Sequence, residues 1–210
     1  MDDASDARLF SPWTDRNRAP ILNVLKRVLP KQGFVLEIAS GTGEHAVHFG
    51  KNLPHLAWQP TDADPAALAS IEAWRAATQV LNVRPPLTLD VHSEPWPVPR
   101  ADAILCINMI HISPWTATEA LMRGAARLLP PSGVLFLYGP YRRRDRATAP
   151  SNESFDADLR RRNPEWGVRD LEAVAEAAEV HGLRLREVVD MPANNLSAVL
   201  TLSDRVSGPS

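Results

Sequence analysis

Five short apolar runs, each followed by a stretch of a different character, constrain this chain more than any other feature. The runs are FVLEIA (34–39), LAWQPTD (56–62), PLTLDV (86–91), ADAILCIN (101–108) and GVLFLYGP (133–140). They are continuously apolar rather than alternating, the pattern of strands covered on both faces. Helical spacing appears in PILNVLKRVL (20–29), EHAVHFGKNL (44–53), DPAALASIEAWRAAT (64–78), SPWTATEALMRGAARLL (113–129) and VRDLEAVAEAAEVHG (168–182). Pro20 and Pro65 suit helix starts, Ser113 an N-cap and Gly182 a helix end. The final stretch, LRLREVVDMPANNLSAVLTLSD (183–204), reads as two strands joined by PANN, and so short a link makes them antiparallel. The expected fold is therefore α/β and Rossmann-like. Its mostly parallel seven-stranded sheet ends in an antiparallel hairpin, with helices on both faces. A single domain is expected over residues 1–210, with an ordered core of about 11–203.

Composition narrows the setting. A net charge of -2 gives no reason to expect nucleic acid as a partner. The single cysteine, Cys106, excludes a disulfide framework within the chain and a cysteine-based zinc site. The acidic start, MDDASDARLFSPW, lacks the pattern of a signal peptide, and no apolar stretch approaches the roughly 20 residues of a membrane span. A cytoplasmic protein without a membrane partner is the resulting expectation, with the oligomeric state open. His45 and His48 lie three apart on a helical stretch without a third ligand, so no metal is expected. Residues 141–166 are polar and arginine-rich. They read as mostly irregular and long enough to be a lid over a substrate.

The chemistry concentrates at VLEIASGTGEH (35–45), where a strand runs into a glycine turn and a helix. Gly41 and Gly43 let backbone approach a ligand closely, but a dinucleotide turn looks much the same. Glu37 separates the two. An acid at the end of the first strand suits a cationic ligand and does little for pyrophosphate. S-adenosylmethionine carries an ammonium and a sulfonium and no phosphate. The alternative for Glu37 is a backbone or lysine partner. Asp62, about twenty residues on, sits where an acid takes ribose hydroxyls. Asp64 suits a helix cap, and Asp90 either faces an adenine amino group or lies in a solvated loop. Ala39, Val91 and Asn108, beside these positions, complete the candidate cofactor set.

The segments LEIASGTGEHAVHF, WQPTDADP, PPLTLDV, INMIHISPW, GVLFLYGPYRR, APSNESFDADLRRRNPEWGVRDLE and MPANNL together resemble the methyltransferase-like 26 family, a domain of unknown function numbered 938. The resemblance runs from about Ser11 to Leu202. It implies a class I S-adenosylmethionine-dependent methyltransferase fold and that cofactor, and leaves the acceptor undefined. WTDRNRAPIL also matches. Through it Arg16 or Asn17 would fold over the cofactor and bind its carboxylate, the alternative being a cap by Asn17 among surface arginines.

Methyl transfer from a sulfonium mainly requires alignment and, for some acceptors, removal of a proton. Acceptor groups are expected past the fourth and fifth strands. Asn108-Met109-Ile110-His111 lacks the prolines and aromatic of nucleobase amino methyltransferases. His111 is a candidate general base, with an ordinary pKa of about 6.5, or a residue that fixes the loop. Met109, Tyr138, Tyr141, Asn152, Phe155 and Trp166 are the other acceptor-side candidates. Asn194 and Asn195 suit turn chemistry. YRRRDR reads as a solvated loop, in which one arginine can hold a substrate carboxylate. The expectation is a methyltransferase acting on a small molecule at O, N or S. The alternatives are a nicotinamide-dependent oxidoreductase and a non-catalytic S-adenosylmethionine-binding protein.

Overall fold

The computed structural model describes residues 6–203, so the first five residues of the acidic start lie outside it. The strands are β1 (Gly33–Ile38), β2 (Leu56–Asp62), β3 (Leu87–Thr88), β4 (Ala103–Ile107), β5 (Val134–Arg142), β6 (Arg169–Asp170), β7 (Leu183–Met191) and β8 (Asn195–Leu202). They form one sheet in the order β3-β2-β1-β4-β5-β8-β7, while β6 pairs with β5 off this path. β1 to β5 pair in parallel, and β8 lies antiparallel between β5 and β7. The seven-strand path and closing hairpin match the expectation. The two-residue β6 is an addition.

The helices are α1 (Pro12–Val28), α2 (Glu44–Asn52), α3 (Pro65–Thr78), α4 (Trp115–Leu128), α5 (Pro150–Arg162) and α6 (Leu171–Val180). Successive strand residues point to opposite faces, and two cores result. Leu36, Ile104, Cys106, Leu135 and Leu137 pack with Leu121 and Ala125 of α4 and Val174 of α6. Val35, Trp58, Leu105 and Phe136 pack on the other face with Ile21 and Leu25 of α1 and Phe49 of α2. Among the described residues no helix is long and apolar enough to cross a membrane.

Three local expectations are corrected. α1 starts at Pro12, not Pro20, with the Ser11 hydroxyl accepting from the Trp13 N–H. Pro20 sits inside the helix, a placement that costs about 3 kcal/mol in an isolated helix. The buried face Thr14, Asn17, Ile21, Val24 and Leu25 spans both sides of the proline and holds it there. Ser113 does not cap α4. Its hydroxyl donates back to Met109 O at 2.8 Å, and Pro114 takes the cap position. Residues 150–162 of the supposedly irregular segment form α5. Its buried stripe is Asn152, Asp156 and Leu159, at helical spacing but mostly polar, so apolar periodicity does not reveal it.

Candidate active site

The turn between β1 and α2 has the left-handed backbone that its glycines allow. Gly41 has φ 56°, Gly43 has φ 86°, and Ala39 adopts φ 54° despite its Cβ. The two glycines serve different ends. A Cβ on Gly43 would lie 2.7 Å from the Ile71 Cα, so this glycine lets α3 pack against the turn. A Cβ on Gly41 would meet nothing within 4 Å, so the turn opens to free space there. Asp62, at the end of β2, accepts the Gly41 N–H at 2.9 Å and the Asp64 N–H at 3.0 Å. A carboxylate has about four lone-pair sites, so Asp62 keeps acceptor capacity for a ligand. Asp64 caps α3, accepting the Ala66 N–H at 2.9 Å.

Glu37 is buried and accepts the Trp58 indole N–H at 2.6 Å. Burial raises its pKa to about 7, against the opposing hydrogen bonds from Trp58 and Ser40; the charge of Asp62 adds to the rise. Trp58 is thus a partner that the sequence reading did not anticipate. Glu44, in the first turn of α2, is also buried and accepts the Thr42 hydroxyl at 3.0 Å and the Ser11 N–H at 2.7 Å. It occupies the helix N-terminus where a dinucleotide would place its pyrophosphate.

Asp90 lies beyond the short β3, in a turn, and its Oδ1 accepts both the N–H and the ring Nδ1–H of His92 at 2.9 Å. Val91 beside it is buried. Asn17 is not a cap. It is buried in α1, with its Oδ1 2.8 Å from His45 Nε2. Burial pushes the His45 pKa down to about 3, helped by the charges of His48 and Arg18, so the ring is neutral and donates Nε2–H to Asn17. Arg16 is exposed, with its guanidinium 5.1 Å from the Trp13 ring centre.

On the other side, Asn108 ends β4 with φ 63° and begins a 3-10 turn over Met109–His111. His111 is wholly enclosed. Its Nδ1 accepts the Arg169 N–H at 3.4 Å, which puts the ring proton on Nε2, and that atom has no partner among the described residues. Burial lowers its pKa to about 3, and the charge of Arg169 lowers it further against the opposing backbone of Gly167. The ordinary value of about 6.5 used in the sequence reading is therefore corrected. Gly139 makes room for the ring, because a Cβ there would collide with Nε2. Arg169 fixes the loop by donating to Ile110 O at 3.0 Å, Ser113 O at 2.6 Å and Glu165 O at 2.7 Å. Neither Gly139 nor Arg169 carried a sequence signal, since both act across long separations.

The aromatic candidates are not brought together. Tyr138 and Tyr141 are three apart on β5 and belong to opposite cores. Tyr141 packs edge-on against His111 at 4.9 Å, and its hydroxyl has no partner among the described residues. Phe155 is exposed on α5, and Trp166 is half-buried under Arg162 at 5.2 Å. A cleft of about 230 Å³ gathers Tyr141 and Asn152 with Arg143, Arg146, Asp190 and Asn194. Phe155, Trp166, Tyr138, Met109 and His111 do not line it. Asn152 ties α5 to the hairpin by donating to Asn194 O at 2.9 Å, and Asn194 donates to the Ser151 hydroxyl at 3.0 Å. Asn195 donates to Pro192 O at 3.1 Å, the turn chemistry expected of it.

A family model described as a protein of unknown function, DUF938, matches residues 8–201. Several solved methyltransferases share the fold. An O-methyltransferase family protein from Burkholderia thailandensis is 17% identical, with a TM-score of 0.75 over 90% of this chain and 57% of that one. A methyltransferase of calicheamicin biosynthesis, solved in its SAH-bound form, is 18% identical, with a TM-score of 0.73 over 89% and 54%. Human N-acetylserotonin methyltransferase, solved in complex with SAM, is 13% identical, with a TM-score of 0.75 over 91% and 53%. The chain thus spans little more than half the length of these structures, and at such identities the likeness shows the fold.

Proposed function

The chain belongs to the DUF938 family, and from that premise we propose that it is an S-adenosylmethionine-dependent methyltransferase acting on an oxygen, nitrogen or sulfur of a small molecule. The observation that carries the reading is the acidic surround of the open turn. Glu37, Glu44 and Asp62 come from the end of β1, the start of α2 and the end of β2, the elements that flank the glycine turn. That surround suits a ligand with an ammonium and a sulfonium and repels pyrophosphate. The resemblance to the methyltransferase-like 26 family supports the same cofactor.

The residues present fit this group. Asp62 has lone pairs for ribose hydroxyls. Ala39 and Gly41 let backbone come close, and Asp90, Val91 and Asn108 lie at the ends of the neighbouring strands. Arg16 and Asn17 remain candidates for the carboxylate. Once bound, the cofactor supplies an electrophilic methyl group on a good leaving sulfur. The chain's own work is then alignment.

His111 serves that alignment better than proton removal. Its Nδ1 is engaged by Arg169, its Nε2 is a donor, and its low pKa makes it a weak base. For His111 to act as a base, the loop between β4 and α4 must open. Calorimetry with S-adenosylhomocysteine and with NADH tests the cofactor reading. Binding of the first alone supports it, and binding of NADH alone overturns it. Screening phenols, thiols, amines and carboxylic acids for methylated product then tests catalysis. Tight cofactor binding without any product favours a non-catalytic binder.

A further inference from the structure

The cleft between the end of β5, the start of α5 and the β7–β8 turn has more unspent chemistry than any other surface of the described chain. It encloses about 230 Å³, below the roughly 300–1,000 Å³ of sites for drug-sized ligands, so its occupant is small. Arg143 and Arg146 both line it. Asp145 holds Nε and Nη2 of Arg143 at 3.0 and 2.9 Å, which leaves Nη1. Arg146 makes no side-chain hydrogen bond among the described residues and comes only within 3.5 Å of Asp145.

The one acid in the lining is Asp190. Its Oδ1 is 4.0 Å from Arg143 Nη1 and 3.9 Å from Arg146 Nη1, beyond hydrogen-bond reach, and its side chain is 74% exposed. Such an exposed pair is weak, so both guanidinium groups keep donors for an incoming anion. The first turn of α5 also borders the cleft, with Ala149 as a cap that offers no side-chain acceptor. Tyr141 lines the cleft and is 5% exposed, and its buried hydroxyl has no partner among the described residues. Met191 and Leu196 supply apolar wall.

We propose that this cleft binds the anionic group of the methyl acceptor, so that the acceptor is a small organic acid. The carboxylate or phosphate engages Arg143 and Arg146, and the carbon skeleton lies against Tyr141, Met191 and Leu196. Guanidinium groups favour such anions through charge-assisted, often bidentate, hydrogen bonds. The proposal takes the methyltransferase reading as its basis for calling the occupant an acceptor.

The test uses ligand-observed NMR on the full chain, with and without S-adenosylhomocysteine. The probes are benzoate, phenyl phosphate and neutral benzamide. The anions should bind at least about tenfold more tightly than benzamide, the preference expected of charged over neutral hydrogen bonds. Benzoate ahead of phenyl phosphate assigns a carboxylate, and the reverse a phosphate monoester. The double variant Arg143→Gln/Arg146→Gln should lose the preference and keep its affinity for S-adenosylhomocysteine. Arg144→Gln, which removes one positive charge from a side chain that pairs with Glu176 outside the cleft, should keep both. Benzamide binding as well as the anions, an unchanged preference in the double variant, or no probe binding at millimolar concentration overturns the proposal. Cofactor-product binding without an anion preference overturns the cleft assignment alone. An anion preference without cofactor-product binding overturns the methyltransferase reading alone.

Discussion

The two halves of the sheet's carboxyl edge are finished to different degrees. Around β1 to β3 the acids already have donors: Glu37 from Trp58, Asp62 from two backbone amides, and Asp90 from His92. Around β4, β5 and the hairpin, His111 Nε2 and the Tyr141 hydroxyl have none among the described residues. The first half is a preorganised socket, whose shape is set before any ligand arrives. The second keeps polar capacity in reserve. Preorganisation suits a constant cofactor, while reserve suits a recognition surface whose partner completes it.

Asp62→Ala should strike the socket hardest. Each charged hydrogen bond lost to a ribose hydroxyl is worth about 1.5–3 kcal/mol, or at least roughly a tenfold loss in affinity. Calorimetry with S-adenosylhomocysteine reads this directly. An unchanged affinity would break the socket half of the contrast. Anion binding in the arginine cleft should not move.

The two glycines sharpen the contrast within the socket. Alanine at either position must adopt the left-handed conformation, at about 1–2 kcal/mol. Only Gly43→Ala also drives a Cβ into the Ile71 backbone, and overpacking adds about 1–3 kcal/mol. Urea unfolding should therefore show Gly43→Ala as the less stable variant. Gly41→Ala should stay folded and lose more cofactor affinity than stability. Equal stabilities would show that α3 can shift away from the turn.

The buried histidine of the second half predicts a pH effect. The unfolded chain takes up a proton near the ordinary histidine pKa of about 6.5, whereas folded His111 refuses it until about 3. Its contribution to stability is thus whole above about 6.5 and is lost as pH falls toward 3, at about 1.4 kcal/mol per pH unit for one proton. His45 behaves alike. Unfolding of His111→Gln between pH 6 and 4 should be less steeply pH-dependent by one proton. The same slope in both proteins would mean that His111 titrates normally, and that the second half is open to water.

The smallest effect concerns Glu37. Its folded pKa of about 7 lies above its ordinary 4.5, so its contribution to stability declines as pH rises from 4.5 to 7. A cationic ligand beside it would favour the ionised form. Binding of S-adenosylmethionine near pH 7 should then release a fraction of a proton, measured by calorimetry in buffers of different ionisation heat. Glu37→Gln should abolish the release. Identical heats in all buffers would mean that Glu37 serves Trp58 alone.

Sequence was informative in proportion to how local each feature is. The glycine turn, the Asp64 cap and the hairpin each arise within a few residues, and all are present as read. The helix at residues 150–162 escapes apolar periodicity because its buried stripe uses Asn152 and Asp156 where a leucine would be recognised. Asp156 belongs inside because three donors meet it. Burial alone would raise its pKa, but Arg142, Arg160 and the Val168 N–H bring it down to about 2. The contacts of Arg169 with Ile110 and Ser113 span 59 and 56 residues, and no pattern along the chain encodes such a meeting.

The position of β8 bears on how the chain is made. Among the described residues it is the last strand in chain order, yet it sits inside the sheet, bonded to β5 on one side and β7 on the other. During synthesis β5 therefore waits as an open edge along Val134–Pro140, most of it apolar, until residues 195–202 arrive. An unpaired apolar edge invites pairing with another chain. A nascent protein can complete the glycine turn and its acids early, but the cleft proposed for the acceptor includes the hairpin and so closes last. A chain stopped before Asn195 would retain the glycine turn and Asp62 while presenting a sticky strand to its neighbours.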